Sequence, residues 1–189
     1  RTYSWLGLPE DAERAARQAL EIRSSGGDWH GLGVGMDTLA AVLRRAGRPE
    51  EALERELGAL RFRGEVGDRH GEGTALVHLA GIHLDLGRAD EALDTGRRAH
   101  ELTAELGDTR AQASALHYMA RASQLLGKHS RAVEHFNAEI GVRRDLDDQR
   151  GMRRALELLR DSHLALGDET AAAVVRDGLL DALRSGAAA

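Results

Sequence analysis

Nine histidines, four arginine doublets and one glycine-rich stretch are the features of this 189-residue chain whose residue types could carry chemistry. Two histidines on one helix share a metal ion when they are four residues apart, because that spacing stacks them on one face. His78 and His83 are five apart and His129 and His135 six apart, so neither pair has that geometry and no metal is expected. His83 and His163 read instead as partly buried packing residues. The stretch GGDWHGLGVG from Gly26 to Gly35 looks like a phosphate loop, but such loops follow a strand. None precedes it here, and the stretch reads as a turn followed by a helix start. A phosphate-loop lysine motif, a zinc-binding His-Glu-x-x-His helix and a Gly-x-Ser-x-Gly elbow are all missing. No catalytic residue, cofactor or enzymatic activity is therefore expected.

Composition narrows the class further. With no Cys, the chain can form neither a disulfide framework nor a thiolate metal site. A net charge of −5 argues against direct nucleic-acid binding, which calls for a basic excess or stripe. No apolar run approaches membrane-spanning length and no signal peptide is visible, so a cytoplasmic protein is expected. Arg44-Arg45, Arg97-Arg98, Arg143-Arg144 and Arg153-Arg154 each have acidic neighbours, the pattern of a solvated helix face. Only Lys128 among 26 basic residues is lysine, which points to a high-GC bacterial genome. Aromatic residues make up 3%, so the core must be Leu, Ala, Val and Ile.

The elements that position these residues follow from a repeat. Gly7, Gly47, Gly87, Gly127 and Gly167 are each 40 residues apart, as are Ala12, Ala52, Ala92, Ala132 and Ala172. Gly27-Asp28, Gly67-Asp68 and Gly107-Asp108 keep the same step, with Asp147-Asp148 in the fourth place; Pro9 and Pro49 obey it too. Ala75, Leu76, Leu79, Ala80 and His83 show helical periodicity, and Gly87 suits a left-handed helix end. Pro49 fits a first helical turn, with Glu50 and Glu51 near the positive end of the dipole. Asp108 is placed to cap the following helix. The spacing predicts helices near 10–26, 29–46, 49–66, 69–86, 89–106, 109–126, 129–146, 149–166 and 169–184. Hairpins of this kind bury their faces only by stacking. The expectation is one all-α array of about nine helices: a partial first repeat over 1–28, full repeats over 29–68, 69–108, 109–148 and 149–184, and a tail over 185–189. Tyr3 and Gly7 fall within a helix already under way, which implies a parent protein continuing N-terminally.

The stretch TALVHLAGIHLDLGRADEALDTGRRAHEL resembles a tetratricopeptide repeat. Leu76, Leu79-Ala80 and His83 match the first-helix pattern; Ala92 and Ala99 match the second. Met36, Leu39-Ala40, Leu43, Ala52 and Ala59 match in the preceding unit, and Leu116, Met119-Ala120, Ser123 and Ala132 in the following one. The last unit departs from the pattern at Arg160. The 40-residue period is similar to the repeats of kinesin light chain and to the C-terminal sensor regions of bacterial signal-transduction ATPases and transcriptional regulators. HEAT, armadillo and propeller repeats fit less well, lacking a proline-kinked helix or alternating strands. The resemblance implies a right-handed superhelix, an α-solenoid, whose first helices line a concave groove for a peptide or partner domain.

Carried over to this chain, the groove positions include Val34, Asp37, Thr38, Ala41 and Arg44, then Thr74, Val77, His78 and Gly81. Ser114, His117, Tyr118, Arg121 and Gln124 follow, then Arg154, Glu157 and Asp161. Asn, frequent in peptide-binding relatives at the sites of Thr38, His78, Tyr118 and Leu158, is replaced here. The expected function is a protein-interaction scaffold or sensor module of a larger bacterial regulator, binding a protein, a peptide or another domain of its parent. A second expectation is homo-oligomerisation through the repeat edge at residues 1–6, near Trp5 and Leu6.

Overall fold

The structure, a computed structural model, describes residue 11, residues 13–18 and residues 29–186. Expectations that fall on Tyr3, Trp5, Leu6, Gly7, Pro9, Ala12, Gly27-Asp28 and 187–189 lie outside the described residues. Residues 11 and 13–18 are helical. Eight further helices follow: α1 (Trp29–Arg45), α2 (Pro49–Val66), α3 (Arg69–Asp85), α4 (Ala89–Glu105), α5 (Thr109–Leu125), α6 (His129–Asp145), α7 (Gln149–Ala165) and α8 (Glu169–Gly186). No strand occurs among the described residues. The 40-residue period thus places each helix start correctly. The last helix runs two residues past its expected end, into the segment read as a tail.

The turns explain why the period is kept. Gly47, Gly67, Gly87, Gly107, Gly127 and Gly167 all take the left-handed conformation, with φ between 69° and 74°. Each lets the chain fold back to satisfy carbonyls at the end of the helix before it. Gly87 N donates to the Leu84 carbonyl at 3.0 Å and Arg88 N to His83 at 2.9 Å, the paired bonds of a Schellman turn. On alternate turns, and again at Gly167-Asp168, an aspartate then caps the next helix. The Asp68, Asp108 and Asp148 carboxylates accept from Gly71 N, Ala111 N and Gly151 N at 2.9, 3.0 and 2.8 Å. At the other turns Arg48 and Lys128 supply no side-chain cap, and Pro49 begins α2 without needing a donor.

The chain divides into two compact units, residues 1–88 and 89–189. In the first, α1 packs on α2, α2 on α3 and α1 also on α3. Its core gathers Ala16, Leu39, Ala40, Leu43, Ala52 and Ile82. In the second, α4 through α8 pack each on the next. That core is Ala120, Ala132, Phe136, Ile140, Ala155 and Leu159. The repeat alanines are the tightest contacts: Ala52, Ala59, Ala92, Ala99 and Ala132 are fully buried.

One turn breaks the glycine rule. Asp147 occupies the left-handed position at φ 53°, where a side chain costs on the order of 1 kcal/mol relative to glycine. Its carboxylate accepts from the Gln149 side chain at 2.9 Å, a local compensation on an exposed turn. Asp147→Gly is expected to stabilise the chain by about 0.5–1 kcal/mol. Thermal unfolding should show a melting temperature raised by about 1–4 °C; an unchanged or lower value would contradict this account of the turn.

Candidate functional site

Two buried charge clusters, one in each unit, stand out against a core of methyl groups. In the first, Glu56 on α2 is 0% exposed, and its Oε1 lies 3.1 Å from His78 Nδ1 on α3. Arg63, one helical face along α2, is 3% exposed. Its Nη2 donates to Asp37 Oδ2 of α1 at 2.6 Å and its Nη1 to the Gly71 carbonyl of α3 at 2.9 Å, while its Nε is 3.8 Å from the Asp68 carboxylate. Burial pushes the Glu56 carboxyl above the usual carboxylate range, opposed by His78. Burial pulls the His78 imidazole down, but the hydrogen bond and charge of Glu56 outweigh it and hold the ring above its ordinary value.

In the second unit, Glu139 on α6 is also 0% exposed. Its Oε2 lies 3.2 Å from His117 Nδ1 of α5, and its Oε1 accepts from Arg143 Nε at 2.7 Å. Arg143 also donates through Nη1 to the Asp148 cap of α7. Burial works against the charge on Arg143, but Glu139 and Asp148 raise its pKa above the ordinary value. The Gly151 N–H and then Arg143 hold the Asp148 carboxyl below its ordinary 3.8. His117 is 5% exposed and meets Phe136 edge-on at 6.3 Å and Tyr118 at 5.7 Å.

The two clusters share a plan legible in the repeat. Arg63 and Arg143 occupy one register position, Asp68 and Asp148 another, Gly71 and Gly151 a third. Between them, α4 and α5 have Thr103 and Ala111 in place of Arg and Gly. Beside each arginine the glycine leaves no room for a side chain: a Cβ on Gly71 would overlap Asp68 Oδ2 and stand 2.6 Å from Arg63 Cδ, and one on Gly151 would overlap Asp148 Oδ2 and stand 2.7 Å from Arg143 Cδ. Beside Thr103, an alanine fits. Glu56 takes the register of Gly96 and Phe136, and Glu139 that of Ala59 and Ala99. A carboxylate at a position otherwise small or apolar was the available signal for both clusters; searching histidine pairs within single helices misses them, because each cluster draws on two or three helices.

The groove residues expected from the sequence have distinct placements. Asp37 and His78 come together in the first cluster, and His117 belongs to the second. Gln124 reaches from α5 to α7, its Nε2 donating to the Leu158 carbonyl at 3.0 Å and to Ser162 Oγ at 2.9 Å. Arg44 pairs with Asp85 of α3. Thr74 Oγ1 donates to the His70 carbonyl at 3.2 Å. Tyr118 and Arg121 are half-buried, while Arg154 and Glu157 are exposed. Val34 and Ala41 are exposed, and Thr38 and Ser114 are half-buried. Val77 and Gly81 are buried; Asp161 is exposed. His83 and His163 are half-buried, as their Tyr-type positions suggested. Arg97 sits on the solvated face, 3.6 Å from Asp94, but Arg143 differs from that expectation by turning inward to Glu139, its side chain 16% exposed.

Helices α3 and α5 are enclosed on most of their circumference. In α5 every residue from Ala115 to Ser123 is buried except Tyr118 and Arg121. Ser114, Tyr118 and Arg121 therefore form an accessible stripe at i, i+4 and i+7 spacing. Thr74 and His78 hold the same register on α3. Among the described residues no helix is long and apolar enough to cross a membrane.

Stacked two-helix units closed by glycine turns, with polar stripes on their first helices, define an α-helical repeat protein. The chain belongs to the tetratricopeptide repeat family, whose pattern it matches over residues 1–64 and 71–145. No curated protein sequence matches it. Solved structures of similar fold include the nearly identical TPR-like repeats of a Podosopora anserina putative kinesin light chain, 16% identical, with 97% of this chain and 91% of that one covered at a TM-score of 0.77. A Pyrococcus horikoshii signal-transduction ATPase with a tetratricopeptide repeat sensor is 20% identical over 86% of this chain and 25% of that one, TM-score 0.74. A Rap protein complexed with competence and sporulation factor is 16% identical over 97% and 61%, TM-score 0.71. At these identities the likeness concerns the fold. A tetratricopeptide fold is a scaffold for protein–protein interaction.

Three stability predictions follow from α2 and the clusters. Gly58 faces open space on α2, so Gly58→Ala should stabilise by about 0.5–1 kcal/mol. Gly71→Ala should instead destabilise by about 1–3 kcal/mol, through displacement of Arg63. Combined with Arg63→Thr, it should cost less than the sum of the two single changes in denaturant unfolding. A stabilising Gly71→Ala would remove the steric link. Asp148→Ala should cost about 1–2 kcal/mol at pH 7, from the lost cap and its arginine. Because the folded-state pKa is depressed, that contribution is complete above the unfolded value. It should fade as pH falls below about 4, closing the gap between variant and wild type in acid unfolding; a gap constant down to pH 2 would contradict it.

Proposed function

We propose that this chain is the partner-binding or sensor region of a larger bacterial regulatory protein, holding an extended peptide or a neighbouring domain along its first helices. The observation that carries this reading is the accessible stripe on α5. Ser114, Tyr118 and Arg121 remain partly accessible, while the other residues of α5 from Ala113 to Ser123 are buried. Tyr and Arg combine large contact area with hydrogen-bonding ends, and both are enriched where binding energy concentrates. Thr74 and His78 hold the same repeat register on α3. Arg154 is exposed on α7 at the register of Ser114, with exposed Glu157 beside it, and both add charge that selects among partners. The sensor of the Pyrococcus horikoshii ATPase and the complexed Rap protein are similarly folded, which supports a regulatory setting. No residue is assigned a catalytic role.

A displayed library of random peptides, selected against the full chain, supplies ligands for the test. The Tyr118→Ala, Arg121→Ala double variant should weaken the selected peptides by at least tenfold in Kd, with an unchanged melting temperature. Equal affinity for both proteins would count decisively against this surface.

A further inference from the structure

The first-unit cluster has more acceptors than donors. Asp37, Glu56 and Asp68 bring three carboxylates; Arg63 is the one guanidinium among them. Asp37 Oδ1 and Glu56 Oε2 are buried and make no hydrogen bond. Leaving such buried oxygens without a partner costs on the order of 1–3 kcal/mol each. The second cluster shows the contrast, since both Glu139 oxygens there are taken by His117 and Arg143. Only the first cluster is left with unfilled carboxylate lone pairs, beside an Arg63 Nε that makes no hydrogen bond either.

We propose that Asp37, Glu56 and His78 form a binding site for a divalent transition cation of the zinc class. One ligand atom from each lies within 4.8 Å of the other two. Ligand atoms of a tetrahedral zinc shell, with bonds of about 2.1 Å, stand roughly 3.4 Å apart. The 3.1 Å between His78 Nδ1 and Glu56 Oε1 is already close to that, and small rotations of Asp37 complete it. One imidazole and two carboxylates suit borderline metals better than calcium or magnesium, which favour all-oxygen shells. Binding replaces the His78–Glu56 hydrogen bond with two coordinate bonds, and His78 gives up a proton if it carries one.

Arg63 acts as a positioning residue. Its Nη2 holds Asp37 Oδ2, which leaves Oδ1 for the metal, in the manner of the hydrogen-bonded carboxylates that surround metal sites. With His78 neutral, the three carboxylates exceed the single guanidinium by two charges, which a divalent ion balances. Glu56 is fully enclosed, whereas 38% of the His78 side chain is exposed. The cation therefore enters from the His78 side, and its remaining coordination positions face water. The site does not depend on peptide binding, so the two readings stand or fall separately.

The test uses the full chain, stripped with a chelator and titrated calorimetrically with zinc chloride and then cobalt chloride. One equivalent should bind, and the cobalt complex should show the visible absorption of a low-coordinate ion without a thiolate band. Zinc at a hundredfold excess over Kd should raise the melting temperature by about 5–10 °C. His78→Ala and Asp37→Asn should each weaken binding at least tenfold, whereas His117→Ala should leave it unchanged. Because His78 is partly exposed, His78→Ala stays informative even where Glu56→Gln fails to fold. Absence of one-equivalent binding to the wild type overturns the proposal, as does wild-type affinity in His78→Ala. The first result would leave those lone pairs without a cation; the second would assign the metal to other histidines.

Discussion

Neighbouring helices in this protein meet across methyl groups, and that closeness constrains everything built on them. Ala52, Ala92 and Ala132 recur at one register and are fully enclosed. A larger side chain there would push the helices apart, at a cost of roughly 1–3 kcal/mol for each overpacked position. The contact also demands equal spacing. Each hairpin must deliver its alanines to the same height, so every helix must end where the last one did. Glycines at positive φ enforce that ending, and aspartate caps start the next helix in phase.

Against such a core, a buried carboxylate is conspicuous and must be answered chemically. Glu139 sits where other units have alanine, and it is answered by His117 and Arg143. Glu56 sits where others have glycine or phenylalanine, and its answer is incomplete. Removing one member of a buried ionic set costs far more than the intact set contributes, on the order of 3–5 kcal/mol. The two arginines therefore bind their hairpins to a particular order of neighbours, Arg63 touching α1 and α3 at once, and Arg143 joining Glu139 of its own helix to the cap of α7.

The fold was legible because its determinants are local and repeat. Gly87, Pro49 and Asp108 each act within one turn of helix, and their consequences could be read from spacing alone. Asp147 is the instructive exception: the period places it in a glycine position, and the chain keeps the left-handed turn despite the side chain. The polar clusters were not legible in the same way. His78 and Glu56 are 22 residues apart and Asp37 lies on yet another helix, so their meeting depends on packing, not on periodicity. Arg63 looks in sequence like any surface arginine of an amphipathic helix. What marks it is the glycine eight residues later, and that mark becomes meaningful only when Arg143 and Gly151 repeat it while Thr103 and Ala111 omit both.

That pairing of arginine with a distant glycine has an evolutionary corollary. Arrays of this type grow and shrink by exchange of whole units, and a crossover between two hairpins is silent when both sides obey the same rules. Here it is not silent everywhere. A crossover between the arginine and glycine positions would join an Arg-bearing helix to an alanine-bearing one, a hybrid in which Ala111's counterpart overlaps the guanidinium. Recombination across the Gly-Asp turn is thereby penalised, while breakpoints at the other turns, such as Gly87-Arg88, carry no such cost. In steric terms the interdependent unit is a second helix together with the first helix that follows it, offset by half a repeat from the hairpin that the period alone would suggest.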